Sequence, residues 1–166
     1  MQNNEGNTMN NTMTSPALDL VTVAPATQND YAGWLPHWLA YQEFYNVSFP
    51  EEVTLTSWSR FFDEKEPMFC AVARMNGNVT GFVHYLYHRS TWAEKEFCYL
   101  EDLYVDPSVR GQHIGKQLIE FVQQQALARP CGRLYWHTHK DNTRGQRLYD
   151  WVANKSGAIE YIMPLK

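Results

Sequence analysis

The chain of 166 residues has the size of one compact domain, and its apolar (44%) and aromatic (14%) content is ample for a hydrophobic core. A formal charge of −4 supplies no basic field for nucleic acid or an anionic membrane and favours a cationic partner. Cys70, Cys98 and Cys131 cannot all pair and lack the close spacing of a zinc knuckle or dithiol motif; with no secretory leader and no run long enough to span a bilayer, they point to a reducing cytoplasm.

Residues 1–16 are Asn- and Thr-rich with almost no apolar content, which predicts a disordered tail ahead of a single domain over residues 17–166. Between Asn29 and Phe49 the side chains Tyr31, Trp34, Leu35, Trp38, Leu39, Gln42 and Tyr45 recur close to helical spacing, with Asp30 as N-cap and Pro36 as a break or kink. A second helix is predicted over Ser57 to Asp63, where Trp58, Phe61 and Phe62 share a face and Pro67 stops any continuation. Met68 to Arg74 and Val79 to His88 read as strands joined by a tight Asn76-Gly77 turn, an antiparallel pair.

Glu96 to Val105 reads as a further strand. Gly111 to Ala128 reads as a helix that buries Ile114, Leu118, Ile119, Phe121 and Val122. A strand over Arg133 to His139, a helix over Asn142 to Asn154 and a closing strand over Ala158 to Met163 complete the chain. This order predicts an α/β fold, a mixed and mostly antiparallel sheet with helices on both faces.

The most informative segment runs Leu103-Tyr104-Val105-Asp106-Pro107-Ser108-Val109-Arg110-Gly111-Gln112-His113-Ile114-Gly115-Lys116. A strand ends, a glycine-containing turn follows, and a helix starts with backbone N–H groups that have no intrahelical acceptor. Those donors and the positive end of the helix dipole suit a pyrophosphate. Gly111 and Gly115 allow close approach of backbone to ligand, and Arg110 and Lys116 add positive charge. Glu101, Leu103 and Val105 alternate onto one strand face, Asp102 and Tyr104 onto the other.

On these residues the chain resembles the GNAT superfamily of N-acetyltransferases, whose acetyl-CoA site carries Arg/Gln-x-x-Gly-x-Gly/Ala after a Leu-x-Val strand. Arg110, Gly115, Leu103 and Val105 match that pattern, and His113 stands where the family usually has glycine. A residue other than glycine is strained there if the turn needs positive φ. The resemblance implies an acetyl-CoA site along Leu103, Tyr104, Val105, Arg110, Gly111, Gln112, His113, Ile114, Gly115 and Lys116, a GNAT-like fold and a homodimer. It implies no metal.

Tyr99-Leu100-Glu101-Asp102-Leu103-Tyr104-Val105 followed by Arg110-Gly111-Gln112 is similar to spermidine/spermine N-acetyltransferases, and the longer stretch Trp151 to Ala158 to the yeast histone and D-amino-acid acetyltransferase group. Transfer needs a neutral amine, and an alkylammonium leaves only about one molecule in a few thousand neutral at pH 7. By resemblance Glu101 is the base, with Asp102 as the alternative. Asn142-Thr143-Arg144-Gly145-Gln146-Arg147-Leu148-Tyr149 resembles the family's Asn-x-x-Ala-x-x-Leu-Tyr, with Gly145 in place of alanine. Asn142 then bonds the pantetheine arm and Tyr149 faces the sulfur as proton donor.

The implied activity is transfer of acetyl from acetyl-CoA to a primary amine of a small molecule such as a polyamine or amino acid. A lysine or N-terminal acetyltransferase of proteins and a non-catalytic acyl-CoA-binding module are the alternatives. His137 and His139 share a strand face, as do His84 and His88, and a sheet-surface role is expected for both pairs rather than a metal. Tyr31, Trp34, Trp38, Phe44 and Tyr45 are expected in the core, with an aromatic cage for a cation as the minority reading.

Overall fold

A computed structural model describes residues 20–165, so the predicted tail over residues 1–16 lies outside the described residues. Five strands form one sheet in chain order: β1 (Val21–Pro25), β2 (Met68–Met75), β3 (Asn78–Ser90), β4 (Ala93–Val105) and β5 (Arg133–Tyr135). All neighbours are antiparallel except β4 and β5, which are parallel. The short alternation of β1, closed by Pro25 at the sheet edge, was not anticipated from the sequence. Asn76 and Gly77 form the β2–β3 turn with φ of 53° and 80°, the left-handed pair that a two-residue hairpin demands.

One face of the sheet is covered by α1 (Tyr31–Phe44) and α2 (Glu51–Arg60), the other by α3 (Ile114–Ala128) and α4 (Thr143–Val152). Pro36 does not break α1, which continues to Phe44. The buried indoles of Trp34 and Trp38, stacked 5.8 Å apart, hold the helix on both sides of the missing N–H. Asp30 does not cap α1 with its side chain. It accepts from the Thr27 N–H (2.7 Å) and hydroxyl (2.9 Å) and from Arg74 (2.5 Å) across on β2. Burial would raise this carboxyl, but those donors outweigh it and hold it below the ordinary range.

The second helix starts six residues earlier than the pattern of Trp58, Phe61 and Phe62 suggests. It begins after Pro50, with Glu51 and Glu52 at its positive end, and finishes at Arg60; the two phenylalanines occupy the turn beyond it. The predicted strand Arg133 to His139 is also shorter, since residues 136–139 leave the ladder. Gly111 belongs to the turn before α3, and Asn142 caps α4 from outside.

The predicted closing strand Ala158 to Met163 is corrected. Residues 153–165 join no sheet among the described residues, and Ile159, Tyr161, Ile162 and Met163 are 75%, 87%, 79% and 82% exposed. Strand propensity alone makes no strand unless the stretch pairs with a neighbour, and this one lies exposed without joining the sheet. Phe44, expected in the core, is likewise exposed.

Candidate active site

β4 and β5 pair only at Phe97–Arg133, Cys98–Leu134 and Tyr99–Tyr135. Beyond those pairs β4 continues to Val105 bonded to β3 alone, while residues 136–139 run on without a ladder, so the sheet parts between them. The parting coincides with an irregularity in β4. His84 pairs with Asp102 and Tyr85 with Leu100, which leaves Glu101 as one extra residue against β3, a β-bulge.

The bulge shifts the alternation of the strand. Leu100 and Leu103, three residues apart, both join the core under α3, while Asp102 lies on the opposite face against His84. The bulge interrupts the expected alternation of Glu101 with Leu103 and Val105, and the Glu101 carboxyl feels the charges of Asp102 and His84. Glu101 is open to solvent, yet the protein around it raises its carboxyl, by burial first and then by the charge of Asp102. The two candidate carboxylates thus lie close enough for the charge of one to act on the other.

Below the parting lies the turn into α3. Gly111 has φ of 87° with no atom within 4 Å of where a Cβ would stand, and His113 takes the left-handed conformation at φ 58°. No side chain caps α3, so its first N–H groups and dipole are left open to an anion, with the exposed Arg110 close by in the chain. These features fit the diphosphate of a coenzyme A. Two expectations change. The space at Gly115 serves packing, because a Cβ there would meet Leu148 Cδ2 of α4 at 2.9 Å. Lys116 pairs with Glu120 and lies over the Trp151 ring at 5.1 Å, so its ammonium is already engaged within the chain.

The left-handed His113 carries the strain that glycine would not, on the order of 1 kcal/mol. Its imidazole meets the edge of Trp151 at 5.4 Å. His113→Gly is expected to bind acetyl-CoA as tightly as the parent or more so, measured by calorimetry; clearly weaker binding would make the imidazole itself a ligand.

Asn142 uses its carboxamide within the chain: Oδ1 accepts from the Gly145 N–H (3.1 Å) and Nδ2 donates to Thr138 Oγ1 (3.0 Å). This explains Gly145 in place of alanine, since a Cβ at that position would lie 2.4 Å from Asn142 Nδ2. Tyr149 of α4 packs into the core under α3, edge-on to Trp136 at 5.6 Å, and burial, then the charge of Tyr45, push its phenol up to about 12. Tyr41 of α1 links the two sides of the site, for its phenol, raised first by burial, feels both Asp102 and Tyr149.

His84 was expected on the sheet surface and is instead buried in an aromatic cage, bonded to Trp34 and Asp102. Sequence reasoning missed it and Tyr41 as parts of the site; only the burial of Trp34 against β3 identifies the covered face. His137 meets the Tyr99 hydroxyl at 3.3 Å, and His139 accepts from the Asp141 N–H.

The sequence matches the acetyltransferase (GNAT) family over residues 37–151, and the chain belongs to that family. It is an N-acetyltransferase by kinship with characterised enzymes. It is 35% identical over 145 residues to the D-amino-acid N-acetyltransferase HPA3 of Saccharomyces cerevisiae, covering 86% of this chain and 90% of that protein. A second match, to thialysine N-epsilon-acetyltransferase of Bos taurus, is 39% identical over 71 residues, 43% of this chain and 41% of that protein. The fold is shared with the aminoglycoside N-acetyltransferase AAC(6')-Iy in complex with CoA, at TM-score 0.77 and 16% identity, covering 91% of this chain and 99% of that one.

Proposed function

We propose that the chain acetylates the primary amine of a small molecule, such as an amino acid or a polyamine, with acetyl-CoA as donor, by direct attack in a ternary complex. The observation that carries this reading is the parting of β4 from β5 immediately before the bulged Glu101, above an uncapped helix N-terminus. Acetyl-CoA supplies the activated acetyl thioester when bound. The N–H groups from Gly111 to Lys116, with Arg110, hold its diphosphate, and the backbone of Leu103, Tyr104 and Val105 runs along its arm. Asn142 has one amide hydrogen left for the same arm beyond its capping bonds. Glu101 receives the amine's proton, and Tyr149 donates to the departing sulfur.

The similarity to enzymes of D-amino acids and thialysine favours a free amino compound over a protein tail. Residues 17–166 are read as one catalytic domain of a cytoplasmic enzyme, and the thiols of Cys70, Cys98 and Cys131, none of them paired, agree with a reducing compartment. The exposed apolar side chains over residues 158–163 support a homodimer, in which this stretch would pack against a second copy.

Thiol release from acetyl-CoA across amino acids of both hands, polyamines, aminoglycosides and basic peptides tests the proposal. Turnover highest on one small-amine class is expected. Turnover confined to the peptides would replace this reading with a protein acetyltransferase, and acetyl-CoA binding without turnover on any amine would replace it with a non-catalytic module.

A further inference from the structure

One buried titratable side chain beside the site takes no part in the chemistry above. His84 stacks on Phe82 with ring centroids 4.6 Å apart and is closed in by Trp34 and Trp38 of α1 and by Phe61. Both of its nitrogens are engaged: Trp34 Nε1–H donates to Nε2 at 3.0 Å, and Nδ1 lies 2.9 Å from Asp102 Oδ2. An indole N–H can only donate, so Nε2 accepts and carries no proton. The proton of the neutral ring is then on Nδ1 and is donated to the carboxylate.

We propose that Trp34 and His84 are positioning residues for the acceptor: they tie one oxygen of Asp102 and fix that carboxylate in place as a partner for the incoming ammonium, while Glu101 takes the proton. A hydrogen bond donated to a carboxylate fixes its orientation and leaves its second oxygen for a cationic partner. Here that donor reaches Asp102, while Glu101 has burial and the charge of Asp102 raising its affinity for a proton. The other titratable groups around the relay are Cys70, opposite His84 on β2, and the phenols of Tyr41 of α1 and of Tyr45 just beyond it, which feel Asp102. The inference rests on the reading of the chain as an amine acetyltransferase and deepens it by dividing the work of the two carboxylates.

The experiment pairs kinetics with a spectrum of the unsubstituted protein. His84→Leu removes the donor to Asp102, whereas His84→Asn places an amide N–H where Nδ1 was. Loss of a hydrogen bond to a charged group predicts that His84→Leu raises the amine KM by about 10- to 100-fold, with acetyl-CoA KM within about twofold, and that His84→Asn restores most of the loss. Calorimetry of the amine binding to the enzyme–CoA complex should show the same ratio. In nitrogen-15 spectra of the parent protein the His84 ring should be the Nδ1–H tautomer, with Nε2 accepting from Trp34. An Nε2–H ring, or an amine KM unmoved by His84→Leu, overturns the relay. If the parent acetylates no amine, the proposed function fails instead, and the spectrum still decides the tautomer on which the relay depends.

Discussion

Tyr149→Phe is expected to lower kcat about 10- to 100-fold, the weight of one hydrogen bond to developing charge, with acetyl-CoA affinity almost unchanged. On reference values a phenol lies only about 1.5 units above a thiol, so donation to the departing sulfur looks like a small uphill step. Burial of Tyr149 on α4 changes that comparison: with its phenol at about 12, complete transfer to a thiolate is uphill by roughly three to four units. Its contribution is therefore a hydrogen bond that strengthens as charge grows on sulfur, inside a site where water competes poorly. Because the phenol keeps its proton throughout the working range, the deficit should be the same at pH 6.5 and pH 9. Full activity in the phenylalanine variant would reduce Tyr149 to a packing partner of Trp136.

The parts of this fold that depend on neighbours in sequence were legible, and those that depend on neighbours in space were not. The Asn76-Gly77 hairpin and the apolar stripe of α3 are local, set by left-handed turn residues and by a 3.6-residue period. The turn from Arg110 to Gly115 could be placed for the same reason. The bulge at Glu101 left no trace in the strand's own alternation, because an extra residue exists only relative to the register of β3. Hence the interruption of the alternation at Glu101 could not be foreseen. His84 looked like a surface residue because alternation does not say which face the tryptophans of α1 will cover. For the second helix a local signal was present in Pro50-Glu51-Glu52, but the exposed Val53 and Leu55 blur its period.

Glu101→Gln should fail in a different way from Tyr149→Phe, because it acts on the amine's proton. As a base Glu101 must be ionised, so the parent rate falls as pH drops through its carboxyl pKa, which burial and Asp102 place above the ordinary value, and levels off above it. The variant has no base and depends on amine already neutral, a fraction that rises about tenfold per pH unit up to the alkylammonium pKa near 10.4. A deficit in kcat of about 100-fold at pH 7 should thus narrow to about tenfold or less by pH 9. Stability runs in the opposite sense. A carboxyl raised in the folded state contributes stability below its unfolded pKa and loses it as pH rises through the folded one, so at pH 7 the neutral glutamine should cost no stability. A thermal scan equal to the parent's, together with the converging pH profiles, separates loss of the base from loss of the fold. Parallel profiles at every pH would remove Glu101 from the base position, and Asp102→Asn would then be measured in its place.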